Sequence, residues 1–171
     1  MSEVDIKSML RVDQAGEFGA TRIYAGQLAI LGTSSPAARS ITRMAAQEQR
    51  HRETFDRMIV ERGVRPTLLA PLWDRAGFLL GAVTALISPE AAMACTAAVE
   101  TEIDRHYADQ LVELGDSEPV LSATIAEFQA EEVEHHATAI AEGAKRAPGY
   151  PLLSAVIRLG CRAAIGLSKR V

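Results

Sequence analysis

The chain has 171 residues, of which 48% are hydrophobic, 23% charged and 5% aromatic, with a formal net charge of -4. That balance fills one full-sized core, excludes intrinsic disorder and disfavours a nucleic-acid partner held through its phosphates. Two cysteines, Cys95 and Cys161, cannot build a disulfide scaffold or a zinc ribbon, and in their apolar stretches they read as small buried hydrophobes.

Met1 to Leu10 shows neither an apolar signal core nor an arginine-rich presequence, which predicts a protein that stays in the compartment where it is made. Val4 to Leu31 is compatible with one helix. Gly32-Thr33-Ser34-Ser35-Pro36 supplies a stopping glycine, capping hydroxyls and a proline at the first helical position. Ala37 to Arg62 is a second helix, and Gly63 to Leu72, with Pro66 and Pro71, is a connection. Leu72 to Ile87 is strongly apolar. Ser88-Pro89 opens a helix to about Leu114, and Gly115 to Pro119 repeats the stop, cap and restart. Val120 to about Lys145 follows, and Pro148 to Pro151 breaks the chain before a last helix, Leu152 to Lys169.

The order hides a duplication. A shift of 83 residues aligns Ala15–Pro36 with Ala98–Pro119, and eleven of these 22 positions are identical. Ordinary composition gives about one or two. A shift of 84 aligns Ala46, Glu48, His51 and Thr54 with Ala130, Glu132, His135 and Thr138. The expected architecture is all-α: a ferritin-like four-helix bundle of two repeated hairpins, plus a crossover apolar helix and a C-terminal amphipathic helix. It is read as a single domain over 1–171. Repeat one runs from about 4 to 62, the crossover 63–88, repeat two from about 89 to 146, and the last helix 150–169.

The duplication preserves Glu17 with Glu48-Gln49-Arg50-His51, and Glu100 with Glu132-Val133-Glu134-His135. Spacing i, i+3 puts Glu and His one turn apart on one helix face. Glu17 lies 17 residues before Ser34 and Glu48 lies 14 after it; Glu100 lies 17 before Ser117 and Glu132 lies 15 after it. All four helices therefore aim at one height. Four glutamates and two histidines suit a carboxylate-bridged di-iron or di-manganese centre, and four carboxylates offset two divalent cations. A lone Glu-x-x-His is ordinarily a solvated face; the matched pair is what points to metal. His136 competes with His135 but has no counterpart in the first repeat, and Glu131 and Glu134 fall off the face and read as solvated.

Tyr24 and Tyr107 lie two turns after Glu17 and Glu100. They read as core whose hydroxyls find partners, with a proton or radical relay as the alternative. His106 is placed to orient a ligand carboxylate, touch substrate or lie on the surface. Asp13 is placed to bond a ligand histidine or to serve as an N-terminal helix charge. The uncharged run Ala76–Ile87 is too short to be read as a span, leaving core packing or a helix in the membrane interface with Trp73 and Arg75 at the headgroups. The last helix alternates apolar residues with Arg158, Arg162, Lys169 and Arg170, a basic amphipathic pattern suited to anionic lipid.

The stretches Arg11–Ala20, Arg22–Gln27, Glu48–His51, Ala91–Glu100, His106-Tyr107, Glu131–His136 and Gly160–Ile165 resemble the demethoxyubiquinone hydroxylase family of ubiquinone biosynthesis. The resemblance covers nearly the whole chain from Arg11 onward. It implies an O2-dependent monooxygenase with two Fe ions, ligated by Glu17, Glu48, His51, Glu100, Glu132 and His135, that hydroxylates a polyprenylated methoxy-methyl-benzoquinone. It implies NADH as the electron source, although no glycine-rich nucleotide motif is legible. It also implies a peripheral place on the cytoplasmic face of a bacterial inner membrane, beside a lipid-binding accessory protein and other enzymes of the route, and no nucleic acid. Gln14 departs from the histidine common in the family, at a position that ligates nothing. Two other readings stay open: another ferritin-like di-iron oxidase (a ferroxidase or peroxidase), and a non-enzymatic membrane-surface bundle stapled by metal.

Overall fold

The computed structural model describes residues 5–171 and is helical almost throughout, with no strand among the described residues. The helices are α1 (Ile6–Leu31), α2 (Pro36–Glu61), α3 (Ala70–Ile87), α4 (Pro89–Leu114), α5 (Pro119–Ala141) and α6 (Tyr150–Ser168), with a short 3-10 turn at Ala144–Arg146. Val4, the expected start of the first helix, lies outside the described residues.

Local chemistry sets most boundaries. The Asp5 carboxylate accepts from the Ser8 amide and starts α1, and Gly32, at φ +68°, ends it in a conformation that favours glycine. Ser35 caps α2 and Ser88 caps α4 through their hydroxyls, each followed by a proline at the first helical position. The second hairpin turn departs from the first. Ser117 does not cap α5; its hydroxyl donates back to the Leu114 carbonyl and closes α4.

Helices α1, α2, α4 and α5 form the expected ferritin-like four-helix bundle. One end is plugged by an apolar cluster containing Ile41, Met44, Met93 and Ala94, the other by Leu10, Phe55, Leu121, Ile125 and Phe128. The Glu and His of both Glu-x-x-His segments lie between these plugs and are buried. The remaining helices carry the duplication further than the hairpins: α3 lies along α1, and α6 lies along α4.

The two outer helices are attached differently. Helix α3 approaches α1 backbone to backbone through Gly26, Gly77 and Gly81; a Cβ at Gly81 would overlap the Ile23 carbonyl. Helix α6 buries only Ile157 and Ser168 and is clamped by charge. Arg158 Nε and Arg162 Nε donate to Glu102 on α4 at 2.6 and 2.8 Å. Two of the four cations expected to meet anionic lipid, Arg158 and Arg162, are thus engaged by Glu102, which is buried and needs its charge matched, while Lys169 and Arg170 stay exposed. Trp73 donates its indole N–H to the Ser168 hydroxyl and lines a cavity between the helices.

Candidate metal centre

Each of the four bundle helices projects a glutamate inward, and all four glutamates are buried. Ligand atoms of Glu17, Glu48, His51 and Glu132 lie within 4.8 Å of one another, and so do those of Glu48, Glu100, Glu132 and His135. All six residues picked out by the duplication are thus brought to one point, and Glu48 and Glu132 belong to both groups. His51 Nδ1 stands 3.2 Å from Glu132 and 3.5 Å from Glu17. His135 Nδ1 stands 3.2 Å from Glu48 and 3.2 Å from Glu132. His51 is held flat by stacking on Phe128, with ring centroids 3.9 Å apart. His136 takes no part in either group.

The electrostatics describe a site short of positive charge. Burial, then repulsion from Glu132, pushes the carboxyls of Glu48 and Glu100 well above the ordinary range. Burial raises Glu132 as well, against the pull of the nearby His51. Burial opposes a charge on His51, yet the closeness of Glu132 and Glu17 outweighs that cost and raises it to about 10. Glu17 is lowered despite its burial, chiefly by His51. His135 is lowered by burial. Both oxygens of Glu48 and one oxygen each of Glu17, Glu100 and Glu132 lack a hydrogen-bond partner, as does His51 Nδ1. Orphaned buried donors of this chemistry fit divalent cations, and the hard oxygen and imidazole set matches iron or manganese.

Other groups hold the cluster from outside. Tyr24 donates to Glu100 at 2.6 Å, and Tyr107 donates to Glu17. Each phenol crosses from one repeat to the other, so both hydroxyls do find partners. Asp13 does not reach either candidate ligand histidine. It is buried, accepts from Gln110 at 2.7 Å and lies 3.4 Å from His106 Nε2. His106 accordingly faces Asp13 and Gln110, not a ligand carboxylate. Gln14 donates to Asp56 at 2.9 Å.

Glu131 corrects its sequence reading. It is not solvated; it bonds His51 Nε2, Arg50 and Gln47, because the helix turns its side chain along the α2–α5 seam. Gln47 bonds His135 Nε2. Sequence reasoning missed Gln47, although the 84-residue shift pairs it with Glu131 directly before Glu48 and Glu132. Glu134 is exposed, as expected.

A cavity of about 360 Å³ lies among α1, α3, α4 and α6. Its walls are apolar and include Ala15, Gly16 and Val99, the chain neighbours of Glu17 and Glu100. Cys161 lines it, and Cys95 is buried nearby; burial pushes both thiols up to about 12, so they are inert packing groups.

The family model described as ubiquinone biosynthesis protein COQ7 matches residues 4–168. A relative from Rhodospirillum rubrum, named 3-demethoxyubiquinol 3-hydroxylase, is 54% identical over 166 residues, covering 97% of this chain and 78% of its own. A Homo sapiens relative, named NADPH-dependent 3-demethoxyubiquinone 3-hydroxylase, mitochondrial, is 45% identical over 175 residues, covering 100% of this chain and 80% of its own. A Saccharomyces cerevisiae relative, named 5-demethoxyubiquinone hydroxylase, mitochondrial, is 43% identical over 179 residues, covering 95% and 77%.

Proposed function

The chain belongs to the ubiquinone biosynthesis protein COQ7 family, and we propose that it hydroxylates the ring of a polyprenylated demethoxyubiquinone with O2. The observation that carries this reading is the set of orphaned, buried carboxylate and imidazole atoms facing one centre. One iron would be held by Glu17, Glu48, His51 and Glu132, and a second by Glu48, Glu100, Glu132 and His135. Bound there, the two irons supply the electrons and the Lewis acidity that activate dioxygen. One oxygen atom enters the ring C–H bond and the other leaves as water, consuming two electrons and two protons. We take NADH as their source; the names of mammalian relatives specify NADPH for those proteins.

The chain's own residues prepare this chemistry. Tyr24 and Tyr107 each engage one oxygen of a glutamate and leave the other free for metal. The apolar plugs at both bundle ends keep water out. The cavity beside Glu17 and Glu100 suits a quinone ring, since small residues Gly16, Gly19 and Ala20 leave the space. Leu72, Leu79, Val83 and Leu86 on α3 and Leu152, Val156, Leu159 and Leu167 on α6 are exposed apolar residues. Both helices are also long and apolar enough to cross a membrane by length and composition. We place these faces on the cytoplasmic surface of a bacterial inner membrane, so that the prenylated substrate enters without crossing water. A lipid-binding accessory protein and the other enzymes of the route are its proposed partners there.

A single-turnover assay tests the reading. The protein is loaded anaerobically with Fe(II) and given demethoxyubiquinone, NADH and labelled O2, and the quinone is followed by mass spectrometry. The expected product is one oxygen atom heavier and carries the label. No product from a protein holding two irons per chain overturns the hydroxylase reading in favour of a ferroxidase or a structural staple.

A further inference from the structure

The two candidate metal positions differ in what stands behind their histidines. Gln47 Nε2 donates to Glu131 Oε2 at 3.1 Å. An ionised carboxylate only accepts, so this bond orients the amide with its nitrogen toward Glu131 and its oxygen toward His135. Gln47 Oε1 lies 3.1 Å from His135 Nε2, which must therefore carry the proton. Glu131 Oε2 lies 3.0 Å from His51 Nε2, which must carry one too. Both rings keep Nδ1, the nitrogen facing the carboxylates, as the one available to a cation.

The backing groups are not equivalent. The outer N–H of His51 meets a carboxylate, whereas that of His135 meets a neutral amide. Gln47 and Glu131 occupy the same position in the two repeats, so the pseudo-two-fold is broken in the layer just outside the cluster. Arg50 bonds the other oxygen of Glu131 but is half exposed, so water screens its charge. Its repeat counterpart, Glu134, is exposed and bonds neither histidine. A carboxylate behind an imidazole fixes the ring and makes it a stronger donor than an amide does.

We propose that Glu131 and Gln47 are positioning residues that make the two metal positions unequal, the one at His51 filling first and holding its ion more tightly than the one at His135. This rests on the two-metal reading above. Neither residue touches the metal or the substrate; each acts through a histidine.

Anaerobic titration of the metal-free protein with Co(II), followed by calorimetry and visible absorption, reads the proposal without activity. Two ions per chain are expected in two resolved steps, separated by roughly tenfold or more in affinity. Glu131→Gln keeps the shape and removes the charge; it weakens the tighter step by roughly tenfold and leaves the weaker step little changed. Gln47→Glu strengthens the weaker step instead. His135→Ala retains the tight step and its absorption band, and His51→Ala loses them. Two equal steps in the wild type, or a Glu131→Gln variant that weakens both steps alike with its helical fold intact, overturns the inequality alone. A wild-type protein that binds no Co(II) overturns the two-metal reading with it. If Glu131→Gln does not fold, the Gln47→Glu titration and the order of loss in the two histidine variants decide the matter.

Discussion

Tyr24 reaches from the first repeat to Glu100 just as Tyr107 reaches from the second to Glu17. Gln27 and Gln110 are a matched pair as well, but Gln27 bonds Thr96 and the Ala92 carbonyl while Gln110 bonds Asp13. At the next remove the halves part company: Asp13 against Thr96, His106 against Ile23, Glu131 against Gln47. The groups that would touch metal are duplicated because two like cations need like donor sets. The groups one bond further out are free to differ, and there the repeat has diverged. The outer helices teach the same lesson, since α3 is held by bare backbone and α6 by a charge clamp.

The largest expected break comes from a residue shared by both metal groups. Glu48→Ala removes a donor from each, so hydroxylation is abolished and bound iron falls from two per chain toward none, read by metal analysis and product mass spectrometry. Full activity in that variant would refute the proposed site.

Helix α6 supplies the next test. With Arg158 and Arg162 engaged by Glu102, the proposed membrane attachment rests on apolar faces. Leu152→Glu with Leu159→Glu should lower liposome co-sedimentation by tenfold or more, since each buried leucine contributes about 1.5–3 kcal/mol. Lys169→Gln with Arg170→Gln should lower it far less, and added salt should matter little. The opposite order would restore an electrostatic anchor.

Gly81 and Gly160 sharpen the contrast between the outer helices. Gly81→Ala forces α3 off α1 and should cost about 1–3 kcal/mol in urea unfolding. Gly160→Ala meets nothing within 4 Å and should be neutral or stabilise by up to about 1 kcal/mol. Equal effects would mean that the backbone approach at Gly81 does not hold α3.

The smallest effect concerns the clamp. Hydrogen bonds from Arg162, against the cost of burial and with Arg158 adding to them, hold Glu102 at about 2. Its folded value is depressed, so its stabilisation is present above the unfolded value near 4.3 and is lost as pH falls toward 2. Solvent screening of the half-exposed arginines limits it to about 1–2 kcal/mol. The stability difference between wild type and Glu102→Gln, measured from pH 7 to pH 2, should shrink across that window; a flat difference would exclude a charge clamp.

Much of this molecule is legible in one dimension. Periodicity, caps and the duplicated Glu-x-x-His determine the helices, the ferritin-like bundle and which six side chains share a height, because helix geometry maps spacing onto a face. What spacing does not encode is the direction of long side chains at the seams. Glu131 reads as solvated, yet it swings across to His51 on another helix. Arg158 and Arg162 read as lipid-facing, yet they bond a glutamate 56 and 60 residues away. Asp13 finds His106 and Gln110 instead of a metal-site histidine. Each depends on which helix lies alongside, and so does the cavity, whose walls come from four helices. Local sequence sets a side chain's face; only the packed tertiary structure decides what that face meets, since the energy of a buried charge is settled by the partner that folding brings to it.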